Sequence, residues 1–255
     1  MEEFTRDTVY KDPQKNINKF KFDQKVVNAF PDMIYRSVPG YRTIINYCGS
    51  ISSKYIKEDS NCYDLGCSLG ASTLSIIECN RDTPFCLHAV DSSVEMIKRL
   101  EKIIATSNED KVMCTVNDIM KHPIENASMV ILNFTLQFIP LCDRQKLLSK
   151  IHEGLNPGGC LFFSEKIKFP SQKNNNLYTD LHHEFKRWMG YSNLEISQKR
   201  DSIEDVLIPE NEETHLNRLE SVGFVSIDKW FQYLNFLLLY SLKTKLRRHL
   251  NRCFY

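Results

Sequence analysis

The residues best suited to chemistry lie in a short glycine-bearing segment, Asp-Leu-Gly-Cys-Ser-Leu-Gly at positions 64–70. Glycine lets the backbone approach a ligand closely, because a Cβ at that position would clash. Asp91 lies 25 residues beyond Gly66, close to the spacing at which an acidic side chain binds the hydroxyls of a ribose. A carboxylate accepts hydrogen bonds from both hydroxyls of such a diol. The segment and the acid together predict a nucleoside-binding site.

The kind of nucleoside follows from what the segment lacks. A dinucleotide fingerprint has the form G-x-G-x-x-G, and the middle glycine is missing between Gly66 and Gly70. The chain also has no G-x-x-x-x-G-K-[ST] phosphate loop. S-adenosylmethionine is a nucleoside without phosphates, so it needs the acid and the close backbone but no anion site. The residues therefore favour S-adenosylmethionine, with a dinucleotide as the alternative.

Apolar runs and helical periodicities alternate along the chain from residue 61 onward. Strands are predicted at residues 62–65, 85–90, 112–116, 128–134 and 160–164, with a closing antiparallel pair at 225–231 and 233–241. Amphipathic helices between the early strands predict a doubly wound α/β fold with a mostly parallel sheet. Ligands bind such sheets at the carboxyl ends of the strands. Gly66, Asp91 and Asp118 each follow one of the first three strands, so we expect them to converge there.

One domain accounts for most of the chain. We predict a single S-adenosylmethionine-binding α/β domain over residues 21–242, with a helical cap on its N-terminal side. An insertion at about 168–210, between the fifth and sixth strands, begins with a predicted loop at Ser171–Asn176. A polar N-terminal tail is expected over residues 1–20, and a basic C-terminal tail over residues 243–255.

Composition narrows the class of protein further. The 255 residues include 33 Lys+Arg against 32 Asp+Glu, and the formal charge of +1 excludes a strongly basic nucleic-acid coat protein. The histidines and cysteines show no metal-ligand spacing, so no metal is expected. Dispersed cysteines without a C-x-x-C pair or a secretory signal indicate a reducing compartment. The apolar stretch Phe231–Tyr240 is too short to span a bilayer. We therefore expect a cytoplasmic protein that binds neither membranes nor nucleic acid directly.

Cys67 is a candidate nucleophile inside the glycine segment. A helix N-terminus would lower the pKa of its thiol and make it reactive. A small side chain packed against the turn is the commoner role of a cysteine in such a place. The chain has no G-x-S-x-G nucleophile elbow either. We prefer the packing interpretation of Cys67.

Longer strings are more specific than the glycine segment. They are Phe30–Ile34, Arg36–Tyr41, Asp64–Ala71, Glu125–Met129, Leu132–Phe138, Gly154–Gly159, Ser164–Lys166, His182–His183, Phe185–Arg187 and Leu194–Arg200. In these strings, over about residues 22–240, the chain closely resembles the carboxy-S-adenosyl-L-methionine synthases. That bacterial family has the class I methyltransferase fold, so the resemblance implies a seven-stranded sheet of that type.

The resemblance implies carboxyl transfer rather than methyl transfer. Prephenate would convert S-adenosylmethionine, as substrate, to its carboxylated form and leave as phenylpyruvate. The product would supply a separate enzyme that carboxymethylates the wobble uridine of certain tRNAs. A homodimer is also implied. The alternatives are a methyltransferase acting on a small molecule or RNA, and a silent nucleoside-binding regulator. Residues 133–136 lack the Pro-Pro motif of nucleic-acid amino-methyltransferases, which disfavours the RNA alternative.

The resemblance also implies which residues bind the nucleoside ligand. The matching positions are Tyr41, Gly66, Cys67, Ser68, Asp91, Ser92, Asp118, Ile119, Asn133 and Arg200. Arg200 and Tyr41 are the implied catalytic residues, because a guanidinium pairs with the new carboxylate and a hydroxyl donates beside it. Without the resemblance, Arg200 would be a surface arginine and Tyr41 a packing aromatic. Whether Arg200 acts in its own pocket or in a partner subunit's pocket stays open.

Overall fold

The computed structural model describes residues 5–107 and 109–244. Within them the strands are β1 (Asn61–Leu65), β2 (Cys86–Asp91), β3 (Val112–Val116), β4 (Ala127–Asn133), β5 (Leu155–Lys166), β6 (Phe224–Tyr233) and β7 (Phe236–Lys243). The helices are α1 (Gln24–Ser37), α2 (Tyr41–Tyr55), α3 (Ala71–Cys79), α4 (Val94–Ser107), α5 (Arg144–Gly154), α6 (Gln172–Trp188), α7 (Asn193–Ile203) and α8 (Glu212–Ser221). None of these helices is both long and apolar enough to cross a membrane.

The seven strands form one sheet in the order β3-β2-β1-β4-β5-β7-β6. The first five strands in the chain pair in parallel, whereas β7 pairs antiparallel with both β5 and β6. This arrangement confirms the predicted fold class, including the antiparallel C-terminal pair. The order of the strands reverses between β1 and β4, which is where doubly wound sheets bind their ligands.

Both faces of the sheet are buried, which explains the unbroken apolar runs in the central strands. In β4, Val130 and Leu132 pack into the core on one face. Met129 and Ile131 alternate with them and pack into the core on the other face. Side chains alternate sides along a strand, so a strand covered on both faces is apolar at every position.

Two local predictions are wrong. The predicted loop at Ser171–Asn176 is instead the start of α6, where the Ser171 side chain accepts a hydrogen bond from the Asn174 amide. A serine N-cap begins this helix although its asparagine-rich first turns have weak helix propensity. The strand predicted at 160–164 is longer than expected: β5 starts five residues earlier, at Leu155, and shifts register against β4.

Residues 5–20 lie against the insertion rather than extending away from the domain. The Tyr10 hydroxyl is 2.8 Å from Ser202 Oγ, and the Gln198 amide donates to the Tyr10 carbonyl at 2.9 Å. The Phe20 amide donates to the Ser202 carbonyl at 2.9 Å. The segment predicted as a polar tail therefore covers α7. The division of the chain into domain and tails stays a prediction, and the C-terminal tail beyond Thr244 lies outside the described residues.

Candidate active site

The glycine segment forms the turn between β1 and α3. The amides of Gly66 and Cys67 both donate to the Val90 carbonyl of β2, at 2.8 and 3.1 Å. Gly66 has φ +79°, and a Cβ there would lie 2.5 Å from Thr135 Cγ2. A side chain at Gly66 would therefore be strained and would collide with the segment after β4. The turn keeps bare backbone at the switch point of the sheet, as the sequence predicts.

Asp91 ends β2 and faces this turn. Its Oδ2 accepts the Ser68 amide at 2.9 Å, and its Oδ1 accepts the Ser93 amide at 2.8 Å. Burial raises the pKa of Asp91, although these backbone hydrogen bonds lower it. Each carboxylate oxygen has a second lone pair, so both can still accept a ligand hydroxyl. The geometry suits a ribose diol.

Asp64 secures the turn from the end of β1. Its Oδ2 accepts from the Thr73 amide at 3.1 Å and from the Thr73 hydroxyl at 2.7 Å. Burial raises the pKa of Asp64 to about 6. The carboxyl lies near Tyr41, at the start of α2, and contributes to the raised pKa of that tyrosine, although burial is the larger cause. Tyr41 is therefore a neutral hydroxyl that can donate a hydrogen bond.

Asn133, at the end of β4, has an unused acceptor. Its Nδ2 donates to Ser72 Oγ at 3.2 Å, while its buried Oδ1 has no hydrogen-bond partner among the described residues. A buried acceptor without a partner is costly unless a ligand satisfies it. Asp118, after β3, is exposed, and its Oδ1 accepts the Met120 amide at 2.8 Å. Both residues line the same cavity as the glycine turn.

Cys67 is almost fully buried, and burial raises the pKa of its thiol well above the usual range. The side chain packs against the turn as a neutral thiol, which confirms the packing interpretation. In residues 5–107 and 109–244, no group of three or more histidine, cysteine or acidic side chains could hold a metal ion. That the protein works without a metal stays an expectation.

One cavity of about 1270 Å³ connects these residues. Sites for a single drug-sized ligand enclose about 300–1,000 Å³, so this one has room for a nucleoside and a second molecule. It is lined by nine of the ten residues that the resemblance singled out: Tyr41, Gly66, Cys67, Ser68, Asp91, Ser92, Asp118, Ile119 and Asn133. The structure brings these nine together.

Arg200 is the exception. It lies on α7 with 55% of its side chain exposed, 3.5 Å from Asp201, and it does not line the cavity. Its neighbour Lys199 does line the cavity. The expected role of Arg200 in binding the ligand stays a prediction.

Three lysines at the far end of the cavity were missed. Lys166 ends β5, Lys186 lies on α6 and Lys199 on α7; we call them the lysine cluster. Lys166 lies just after the strand predicted at 160–164, at the carboxyl edge of the sheet, so its position could have predicted that it lies near the ligand. Lysines on helices are normally exposed, and nothing in the sequence marks Lys186 or Lys199 as exceptions.

His182 and Ser37 line the same end of the cavity. His182 Nε2 lies 2.7 Å from the Ser37 carbonyl, and Lys199 Nζ donates to Ser37 Oγ at 2.9 Å. Burial lowers the pKa of His182 well below its usual value, and the neighbouring Lys186 and Lys166 lower it further. The imidazole is therefore neutral and donates to the carbonyl.

The seven-stranded sheet and its helices have the fold of the class I S-adenosylmethionine-dependent methyltransferases. A family model described as a methyltransferase domain matches residues 63–159. Human N-acetylserotonin methyltransferase in complex with SAM superposes with a TM-score of 0.60 at 15% identity, covering 87% of this chain and 55% of the other. A putative methyltransferase from Methanococcus maripaludis gives a TM-score of 0.55 at 19% identity, covering 91% and 98%.

Sequence relatives are more specific. A carboxy-S-adenosyl-L-methionine synthase of Actinobacillus succinogenes is 47% identical over 235 residues, which is 91% of this chain and 97% of the relative. The synthase of Geobacter sp. strain M21 is 47% identical over 239 residues, covering 93% and 98%. The chain belongs to the carboxy-S-adenosyl-L-methionine synthase family, which confirms the resemblance.

Proposed function

We propose that this protein converts S-adenosylmethionine and prephenate to carboxy-S-adenosylmethionine and phenylpyruvate. The observation that carries the proposal is one cavity, in which a nucleoside site lined by Gly66 continues into an end lined by lysines. A methyl donor and a small anionic second substrate fit such a cavity side by side. Membership of the synthase family supports the same reaction.

The reaction needs few groups from the protein. Loss of carbon dioxide and the ring hydroxyl turns prephenate into aromatic phenylpyruvate and releases hydroxide. The sulfonium makes the adjacent methyl group weakly acidic, so hydroxide takes a methyl proton and forms water. The resulting ylide carbon attacks carbon dioxide, and the new carbon–carbon bond gives the carboxylated product. The protein's task is to hold both substrates together and keep bulk water away.

Described residues fit these tasks. Asp91 and the amides of the glycine turn are placed to hold the nucleoside, and Asn133 Oδ1 offers an unused acceptor beside it. Tyr41 is a neutral hydroxyl next to the ring of Phe134, with ring centroids 6.4 Å apart. Aromatic residues including Phe22 line the cavity and limit its contact with water. A hydroxyl donor in an apolar setting suits a developing carboxylate.

We also propose a homodimer in which Arg200 reaches the cavity of the partner subunit. The guanidinium is exposed and lies outside its own cavity, which supports a role at another molecule's site. Arginine binds carboxylates through two parallel hydrogen bonds, so it suits the new carboxylate of the product.

The product would supply a separate enzyme that carboxymethylates the wobble uridine of tRNA, in the cytoplasm. A formal net charge of +1 supports a protein that makes this donor without binding the tRNA or a membrane.

Mass spectrometry tests the reaction directly. The purified protein is denatured and its released ligand weighed, and fresh protein is then incubated with S-adenosylmethionine and prephenate. A ligand heavier than S-adenosylmethionine by one carbon dioxide, formed together with phenylpyruvate, is the expected result. S-adenosylhomocysteine alone, with prephenate unconsumed, would instead favour an ordinary methyltransferase.

A further inference from the structure

The lysine cluster has few partners of its own. Lys186 and Lys199 are 9% and 8% exposed, and Lys166 is partly buried. Lys199 donates to Ser37 Oγ, whereas the ammonium groups of Lys166 and Lys186 make no hydrogen bond or ion pair with a residue that the structure describes. Buried charges are normally paired, because removing an unpaired ammonium from water is costly. Lys166 and Lys186 are two such groups on one cavity, beside a third lysine that has only a hydroxyl as its partner, and they need an explanation.

The neighbouring charges do not balance the cluster. Arg36 is a fourth cation beside Lys199, and the carboxylates that act on Lys199 and Lys186 are Asp7 and Asp32. Asp32 already accepts from Arg36 at 3.0 Å, and Asp7 accepts from the Tyr191 hydroxyl. The basic groups at this end of the cavity therefore outnumber the carboxylates that act on them.

The pKa directions agree with this excess. Burial lowers the pKa of all three lysines, and the pKa of Lys199 falls to about 8. Repulsion from Lys199 and Lys166 lowers the pKa of Lys186 further. A bound anion would reverse both effects, because it replaces the lost water and neutralises the repulsion.

The acidic residues of the cavity, Asp64, Asp91 and Asp118, lie in or just after β1, β2 and β3, on one side of the switch point. Arg99 and Lys102 of α4 also line the cavity on that side. The lysine cluster lies on the other side, at the end of β5 and on the helices of the insertion. The first side therefore holds charges of both signs, whereas the lysine side has no acidic residue among the described residues that line the cavity, which suits an anion.

Resting on the function proposed above, we propose that Lys166, Lys186 and Lys199 bind the two carboxylates of the second substrate and select a dicarboxylate over a monocarboxylate. Three lysines that line one end of the cavity without a carboxylate partner suit a dianion. Ser37, held by His182, positions Lys199 for this role. A monocarboxylate of the same shape leaves one buried cation without a partner, so it binds more weakly.

The test measures binding apart from turnover. Calorimetry compares prephenate with phenylpyruvate, a monocarboxylate, on protein loaded with S-adenosylhomocysteine, which has no methyl group to react. Lys186→Met and Lys199→Met keep the side-chain volume and remove the charge. Lys173→Met, at an exposed position of the same helix as Lys186, is the matched control. Melting temperature and S-adenosylhomocysteine affinity show that each variant is folded.

We expect wild-type protein to bind prephenate on the order of ten-fold or more tightly than phenylpyruvate. Each cluster variant should lose on the order of ten- to a hundred-fold in prephenate affinity, while its S-adenosylhomocysteine affinity stays within about two-fold of wild type. The Lys173→Met control should bind prephenate within about two-fold of wild type. Prephenate affinity unchanged in both folded variants would overturn the inference, even if carboxylated product still forms. Binding that depends on the lysines without any carboxylated product would support the inference and contradict the proposed reaction instead.

Discussion

Replacing Gly66 with alanine tests how the turn keeps its backbone open. Gly66 has φ +79°, which costs a non-glycine residue about 1–2 kcal/mol. The new Cβ would also lie 2.5 Å from Thr135 Cγ2 and 2.6 Å from Thr135 Oγ1. Overpacking of this kind costs about 1–3 kcal/mol, so Gly66→Ala should lower the free energy of unfolding by about 2–5 kcal/mol.

A double-mutant cycle separates the two causes. Thr135→Ala removes both colliding atoms and loses only a weak hydrogen bond from its hydroxyl to the Asn133 carbonyl, at 3.4 Å. Combined with Gly66→Ala, it should restore the steric part, about 1–3 kcal/mol, and leave the backbone part. Gly70→Ala is the matched control, because its φ is +75° but its Cβ would meet the flexible end of Leu100. Thr135→Ala should not rescue it.

Urea denaturation measures the unfolding free energies, and calorimetry with S-adenosylhomocysteine measures binding. Gly66→Ala should weaken binding by on the order of ten-fold or more, since the turn must move to accept the methyl group. Strictly additive effects of Gly66→Ala and Thr135→Ala would refute the reasoning, because no steric coupling would then exist between the two positions.

Three further changes address the acids of the site and Arg200. Asp91→Asn should weaken S-adenosylmethionine binding by on the order of ten- to a hundred-fold in calorimetry, because the new side-chain NH2 would face the backbone N–H of Ser68 or Ser93. Unchanged affinity would contradict the ribose contact. The pKa of Asp64 is raised from 3.8 to about 6, so between these pH values the folded state binds more protons than the unfolded state. The free energy of unfolding should therefore fall by about 3 kcal/mol as the pH rises from about 4 to about 6. Urea denaturation of Asp64→Asn without ligand should lack this slope, and an identical slope would assign it to another group. Arg200→Ala should still bind S-adenosylmethionine but should retain the carboxylated ligand on the order of ten-fold more weakly, as measured by mass spectrometry of the purified protein. Arg81→Ala, at an exposed arginine, is the control and should retain the ligand as wild type does. Equal retention by the Arg200 variant would show that Arg200 does not act in the site.

The sequence predicted the parts of the fold that depend on local pattern. The strands from β1 to β4 lie within one residue of their predicted bounds, because apolar runs between helical periodicities are unambiguous when both faces of a sheet are buried. The start of α6 was missed, because an asparagine-rich stretch after a serine has weak helix propensity and gains its stability from packing in the tertiary structure.

The nucleoside end of the cavity was likewise within reach of the sequence. Its glycine turn follows β1, Asp91 ends β2, and Asp118 lies two residues after β3; parallel strands bring their carboxyl ends to one edge. A residue's place just after a strand is therefore enough to predict that it faces this edge. Of the nine cavity-lining residues that the resemblance implies, all but Tyr41 lie at or just after the end of a strand. Tyr41 instead begins α2, directly after Gly40, which has the left-handed backbone conformation.

The sequence by itself determined the turn, the acid that follows β2 and the class of ligand, because these depend on residue type and short spacing. Only the tertiary structure decided which cations face the cavity. Lys199 reaches Ser37 across 162 residues of chain, while its neighbour Arg200 lies in solvent. Adjacent residues on a helix point about 100° apart, so whether each is buried depends on what packs against that helix. That packing is set by the whole fold and leaves no trace in local spacing.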